Sequence, residues 1–539
     1  MNKLALLACS SLVLTAMSAV SQPSLKNQGS AKQLYVDEKP FLMLGGELGN
    51  SSASSSAYMQ PVWPKIKSMN LNTLLAPVYW ELLEPEEGRF DFELVDSLIY
   101  NARKHEIKLV LLWFGVWKNS MSCYAPYWVK KDQAKFPRAR SKNGTAQEIL
   151  SPFSENSLQA DIKAFKALMQ HIREIDRKEQ TVVMIQVENE IGMLPDARDH
   201  STAANEAFAK NIPPNFLNYL KTNQNNLLPE LKAIWTKNGS KTTGNWEAVF
   251  GKSLATDEIF MAWYYADFIN KLTDAGKKEY NLPMYLNAAL NYKKEAKPGE
   301  YPSAGPLPHI MDVWKAGAPK IDMLSPDFYN LDFKYWNDLY VRGDNQLFIP
   351  EIRYEQGVGA KALYAIGHYS SVGFSPFSIE NGSKENNAEI TNAYHLMDQL
   401  KPLILQHQGK NTIEGVLFDQ KSTPKQEIKL GDYRLTFNHD LSLGWSPKAK
   451  EEHWPMTGAI VIQLAADEFI IAGSGVVVTF NPLKETSRAG IAQIDEGVFK
   501  NGKWIPGLRM NGDQNHQGRH LRIPEGDYSI QKVKLYTYQ

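Results

Sequence analysis

Two carboxylates and an amide close a continuous apolar run in Val182-Val183-Met184-Ile185-Gln186-Val187-Glu188-Asn189-Glu190-Ile191-Gly192. A β-branched run of this length reads as a parallel strand buried on both faces, and α/β barrels place reacting groups at the carboxyl ends of such strands. An Asn directly before a Glu at that edge suits sugar chemistry. The amide can hold a ring hydroxyl while the acid protonates a glycosidic oxygen. A second apolar run, Leu347-Phe348-Ile349-Pro350, delivers Glu351. Two facing carboxylates are what glycoside hydrolysis needs, one as acid/base and one as nucleophile or base. Glu188, Glu355 and Glu380 compete for these roles, and an ion pair with Arg353 is an ordinary alternative for Glu351. Periodicity alone does not rank them.

The elements that must position these groups alternate along the chain. Strand signals fall at 41–45, 71–78, 109–113, 182–187, 284–287, 321–325, 347–349 and 372–374, with amphipathic helices at 92–103 and 158–175. Eight strands with helices between them predict an α/β fold, a (β/α)8 TIM barrel over 33–405, carrying a polar, helix-rich insertion at 193–278. After about residue 408 the period changes. Strand-like runs at 459–464, 469–472, 475–480 and 533–538, separated by Gly, Asn and Pro turns, predict a β-sandwich domain over 409–539. The stretch before Lys32 reads as polar and irregular.

The chain has 539 residues, too many for one ordinary core. Lys+Arg and Asp+Glu are equal at 59 each, so no global field steers nucleic acid, and a neutral partner fits better. Residues 1–21 read as a secretory signal: Lys3 opens an apolar stretch, and Ala19-Val20-Ser21 offers a cleavage site. Ser10, Ser11, Thr15 and Ser18 interrupt the stretch, which argues against a membrane span. Export, to the periplasm or beyond, is expected, and Cys9 comes early for a lipidation site. Cleavage would leave Cys123 alone, without an intramolecular disulfide. No His-Glu-x-x-His, paired-Cys, Walker or Gly-x-Ser-x-Gly motif is present, so neither a metal nor another cofactor is expected.

The segment Ile185 to Gly192 resembles the strand-four signature of glycoside hydrolase family 35, mainly β-galactosidases with a retaining barrel. Trp80-Glu81-Leu82-Leu83-Glu84-Pro85-Glu86-Glu87-Gly88-Arg89-Phe90-Asp91-Phe92 is similar to its second-strand region. The resemblance spans roughly 34–382 and is to a bacterial branch with a C-terminal β-domain. It implies Glu190 as acid/base, Glu351 as nucleophile, and Asn189 on the sugar 2-hydroxyl. It further implies that Trp117, Lys118 and Asn119 line the pocket and that Tyr329 hydrogen-bonds the nucleophile. Glu47, at the first strand's end, is a candidate for another sugar hydroxyl. The usual Arg-Pro-Gly-Pro-Tyr of the third strand is replaced here by Trp113-Phe114-Gly115-Val116-Trp117. The expectation is a retaining exo-β-galactosidase on a neutral oligo- or polysaccharide, plant cell-wall material being the favoured source. A β-glucosidase, an arabinopyranosidase, an endo-hydrolase and a non-catalytic carbohydrate-binding barrel are the alternatives. The retaining mechanism calls for carboxyls about 5–5.5 Å apart, a raised pKa at the acid and a normal or lowered one at the nucleophile.

Overall fold

The computed structural model describes residues 21–539 apart from 291, 292, 294, 330, 331, 420, 421 and 485. Eight parallel strands close a barrel: β1 (Met43–Glu47), β2 (Thr73–Tyr79), β3 (Lys108–Phe114), β4 (Val182–Val187), β5 (Met284–Leu290), β6 (Met323–Phe328), β7 (Ile349–Ile352) and β8 (Gly373–Pro376). Neighbours in sequence are neighbours in space, and β8 returns to β1. Every strand residue but Lys108 is buried or nearly so, which is why these runs carry almost no polar alternation. All eight expected strands are present.

Helices wrap the barrel. Among them are α1 (Glu155–Asp176) and α2 (Leu254–Glu279), followed later by α3 (Val358–His368) and α4 (Lys384–His407). Ser154 and Ser253 cap α1 and α2, each hydroxyl accepting from the backbone N–H three residues on. The two helices pack directly on each other. Gly276 allows the contact, since a Cβ there would sit 2.3 Å from the Phe165 ring. The expected insertion at 193–278 therefore needs correcting. Only the four short helices Thr202–Ala209, Pro214–Thr222, Pro229–Lys237 and Trp246–Phe250 are inserted, whereas α2 is the barrel's own helix leading into β5.

The polar amino-terminal stretch is also not irregular. Ser24–Gln28, Ala31–Val36 and Lys39–Phe41 form an antiparallel sheet. Gln33 hides that strand from an apolar count. Its side chain is buried, and its amide donates to the Leu405 carbonyl at 2.7 Å. The segment read as an export signal lies outside the described residues except for Ser21, as does Cys9. Cys123 is buried, and burial pushes its thiol pKa up, which suits a packed, unreactive side chain.

From Ile413 onward the strands form a six-stranded and a four-stranded antiparallel sheet, joined by loops and short 3-10 turns. Phe437, Phe469, Ile471, Val478 and Leu521 are among the side chains filling the space between them. The opposite face of the larger sheet, through Ile460, Ile462, Ile470 and Ile530, joins the apolar cluster of the barrel. No described helix is long and apolar enough to cross a membrane.

Candidate active site

The strand-four motif turns sharply as it leaves the barrel. Glu188 and Glu190 adopt φ of 60° and 44°, a left-handed conformation that costs a non-glycine residue of order 1–3 kcal/mol. The strain sends the two carboxylates opposite ways. Glu188 is fully buried and faces the loop after β3, accepting N–H bonds from Val116 (3.2 Å) and Trp117 (2.7 Å). Burial first, then neighbouring Asp161, raise its pKa well above the carboxylate range. Asp161 in turn accepts from the Trp113 indole at 2.9 Å. Gly115 is needed here because a Cβ would fall 2.4 Å from Glu188 Oε1. Glu188 thus anchors a loop and does not enter the pocket.

Glu190 faces the barrel axis. Its backbone N–H donates to Asn287 Oδ1 at 2.9 Å. The Asn287 amide donates in turn to Asn189 Oδ1 (3.0 Å) and to Asp327 Oδ2 (2.5 Å). Asn287, midway along β5, thereby links the ends of β4 and β6. Asn189 is further fixed by Gln186, which donates to its Oδ1 at 2.8 Å, and by its own donation to the Lys118 carbonyl at 2.6 Å. Glu351 lies directly across from Asp327 in the β6–β7 register. One oxygen each from Glu190, Asp327 and Glu351 lies within 4.8 Å of the others. This oxygen-only set is also of a kind and spacing that could hold a hard cation.

Two further groups converge on Glu351. Tyr329 donates its hydroxyl to Glu351 Oε1 in a short hydrogen bond. Glu47, at the end of β1, is 1% exposed and lies beside Glu351, whose charge adds to the burial that raises the Glu47 pKa. Lys118 is 7% exposed, and its field opposes protonation of Glu47, Glu190, Asp327 and Glu351 alike. Its Nζ stands 5.1 Å over the Phe114 ring.

Four carboxyls facing one ammonium hold on to protons. Burial raises the Glu190 pKa, with Lys118 opposing. Burial and then the Glu190 charge push Glu351 up to about 7, against the Tyr329 hydrogen bond and Lys118. Glu47 and Asp327 are held well above the carboxylate range, again chiefly by burial. A raised acid was expected, but a raised nucleophile candidate was not. The difference arises because Glu351 is itself buried and faces the Glu190 charge, so the pair titrates together with its acidic neighbours.

The structure therefore brings together Glu47, Lys118, Asn189, Glu190, Tyr329 and Glu351. Trp117 does not join them and is corrected. Its ring is fully buried edge-on against Tyr265 and Phe268, and its indole donates to the Leu150 carbonyl at 3.2 Å. Asn119 closes its own turn with its Oδ1, which accepts from Met121 N–H (2.8 Å) and the Ser122 hydroxyl (3.2 Å). Of the competing acids, Glu355 pairs with Lys361 at 2.9 Å and Glu380 binds Ser52 and the Gly49 N–H. Arg353 lies over the Tyr329 ring, and among the described residues no ion pair joins it to Glu351. Asp327 and Asn287 were missed. Both lie at or just beyond expected strand ends, which was the available signal.

Residues 57–262 match a family model described as beta-galactosidase, that of glycoside hydrolase family 42, and residues 390–522 match a domain of unknown function (DUF5597). Over that segment the barrel is similar in sequence to the broader beta-galactosidase class; the matched model is not that of family 35. A curated beta-galactosidase of Xanthomonas manihotis is 35% identical over 72 residues, 13% of this chain and 12% of that protein. Among solved structures, the beta-galactosidase from the psychrophilic Marinomonas ef1 aligns with a TM-score of 0.44 at 12% identity, over 67% of this chain and 60% of its own. That of Bacillus circulans sp. alkalophilus gives 0.46 at 14%, over 68% and 57%. The catalytic domain of a Paenibacillus polymyxa beta-amylase gives 0.45 at 12%, over 65% and 96%. The chain spans about an eighth of the curated relative and under two thirds of the two beta-galactosidase structures. Structural likeness at this level adds nothing to the fold described above.

Proposed function

We propose that the protein is an exported, retaining exo-β-galactosidase that needs no metal. The observation that carries this reading is the approach of Glu190 and Glu351, oxygens within 4.8 Å, at the ends of β4 and β7. That approach favours the roughly 5–5.5 Å carboxyl separation of double displacement over the roughly 6.5–9.5 Å of inversion. Glu351, oriented by Tyr329, attacks the anomeric carbon while Glu190 gives its proton to the departing oxygen. Glu190, now a carboxylate, then takes a proton from water, which displaces Glu351 and releases the sugar with retained configuration. Asn189 and Glu47 hold ring hydroxyls, and Lys118 moderates the negative charge of the set.

Galactose is supported by the description of the matched family and by the relatives' names. The altered third-strand motif supports a branched, neutral plant cell-wall oligosaccharide over lactose. A 2-deoxy-2-fluoro-β-galactoside tests the mechanism and the nucleophile together. The expected result is slow inactivation with the label mapped to Glu351. A label on Glu355 or Glu380 would reassign the nucleophile, and no adduct with inverted product would end the retaining reading. Faster hydrolysis of β-glucosides than of β-galactosides would overturn the sugar. Export predicts a mature amino terminus close to Ser21.

A further inference from the structure

A cavity of about 980 Å³ opens between the barrel and the β-sandwich domain. This is at the upper end of the roughly 300–1,000 Å³ typical of small-molecule sites. Its barrel wall comes from the loop after β7 and the first turns of α4, so it lies on the face that holds the carboxylates. Glu355 follows Glu351 by only four residues, a reach of at most about 14 Å. The opposite wall is the segment 448–457 with Tyr528. Gly357, at φ 87°, makes the walls meet: a Cβ there would fall 2.6 Å from Met456 Sδ.

The lining has the chemistry of a sugar platform. Trp454 is partly exposed, its ring braced 4.9 Å from that of His439, and Tyr528 lies nearby, packed from beneath by the barrel's apolar cluster. Aromatic faces of this kind pair with the C–H surfaces of pyranose rings. Six carboxylates line the cavity against two lysines, and both lysines are engaged, Lys361 with Glu355 at 2.9 Å and Lys448 with Glu525 at 2.8 Å. A uronic acid or sulfated sugar would meet an excess of carboxylates over lysines, whereas a neutral sugar's hydroxyls find acceptors.

We infer that this interdomain cavity is a distal subsite that holds the non-cleaved part of a neutral oligosaccharide whose terminal residue sits between Glu190 and Glu351. The inference rests on the function proposed above, and it gives the β-sandwich domain a share in substrate choice.

The test compares kcat/KM for a neutral branched hexasaccharide ending in β-galactose with that for 4-nitrophenyl β-D-galactoside. Trp454→Ala should lower the ratio of the two about tenfold, and Trp454→Phe should restore most of it. Gln356→Trp, which fills the cavity from an exposed position without removing a contact, should lower the ratio as well. Calorimetric binding of the hexasaccharide to Glu190→Gln protein should weaken in parallel when either change is added. An unchanged ratio in both variants, in protein that melts like the wild type, overturns the subsite. Wild-type protein that cleaves neither substrate yet loses hexasaccharide binding on Trp454→Ala would sink the galactosidase reading and leave the cavity assigned.

Discussion

At the scale of single residues, the site is a problem of proton distribution. A functioning pair needs Glu351 ionised and Glu190 protonated, but burial raises both, and Glu190's charge adds to the rise at Glu351. Because the Glu351 pKa is raised to about 7, activity should be lost as pH falls through that value, and the basic limb should follow deprotonation of Glu190. Glu190 is neutral wherever the pair works, and Gln is neutral too. In Glu190→Gln the acid limb, measured on an activated aryl galactoside that needs little protonation, should therefore stay in place while the basic limb is lost. Turnover of substrates with poor leaving groups should fall by about 10²–10⁴, with azide partly restoring the aryl reaction as a β-glycosyl azide. An acid limb that moves to lower pH would mean that Glu190 is charged while Glu351 titrates, and would exchange the two roles.

At the scale of elements, β4 and the loop after β3 form one device. Glu188 ties the loop down from below, and Lys118 and the Asn189 contact come with it. Gly115→Ala should cost about 1–3 kcal/mol by crowding Glu188 and Asp161, and should lower kcat through displaced Lys118. A variant that melts and turns over like the wild type would show that the loop yields without disturbing the pocket. The sequence made the strands legible because burial on both faces leaves long apolar runs, and it made Glu190 and Glu351 legible because each ends such a run. Asp327 was harder, since a polar residue at a strand end gains meaning only from what the adjacent strand sets opposite it. Trp117 was misplaced for a related reason. Its position in the loop is at the pocket, but its backbone alone serves the site while the ring turns into α2. Spacing along a chain does not reveal which way a loop side chain points. The same limit hid the division between the inserted helices and α2, both of which follow the motif as helix-forming sequence.

At the scale of the whole molecule, composition made two folded units legible, but not how they are joined. The sequence change near residue 408 looks like a boundary, yet the strand Ile413–Phe418 packs on α3, and Gly367 sits so close that a Cβ would lie 2.9 Å from the Glu414 carbonyl. The larger sheet is apolar on both faces because it serves two cores at once. A chain cut after α4 should accordingly be recovered as aggregate, and the full protein should give one calorimetric transition in place of two. Two well-separated transitions would show that the halves melt independently. For anyone wishing to graft this barrel onto another partner, or to shorten it for crystallisation, the helix pair α3 and α4 is an inner wall and not an outer one. What replaces the sandwich must bring its own greasy surface of matching shape, or the trimmed enzyme will find a substitute in its neighbours.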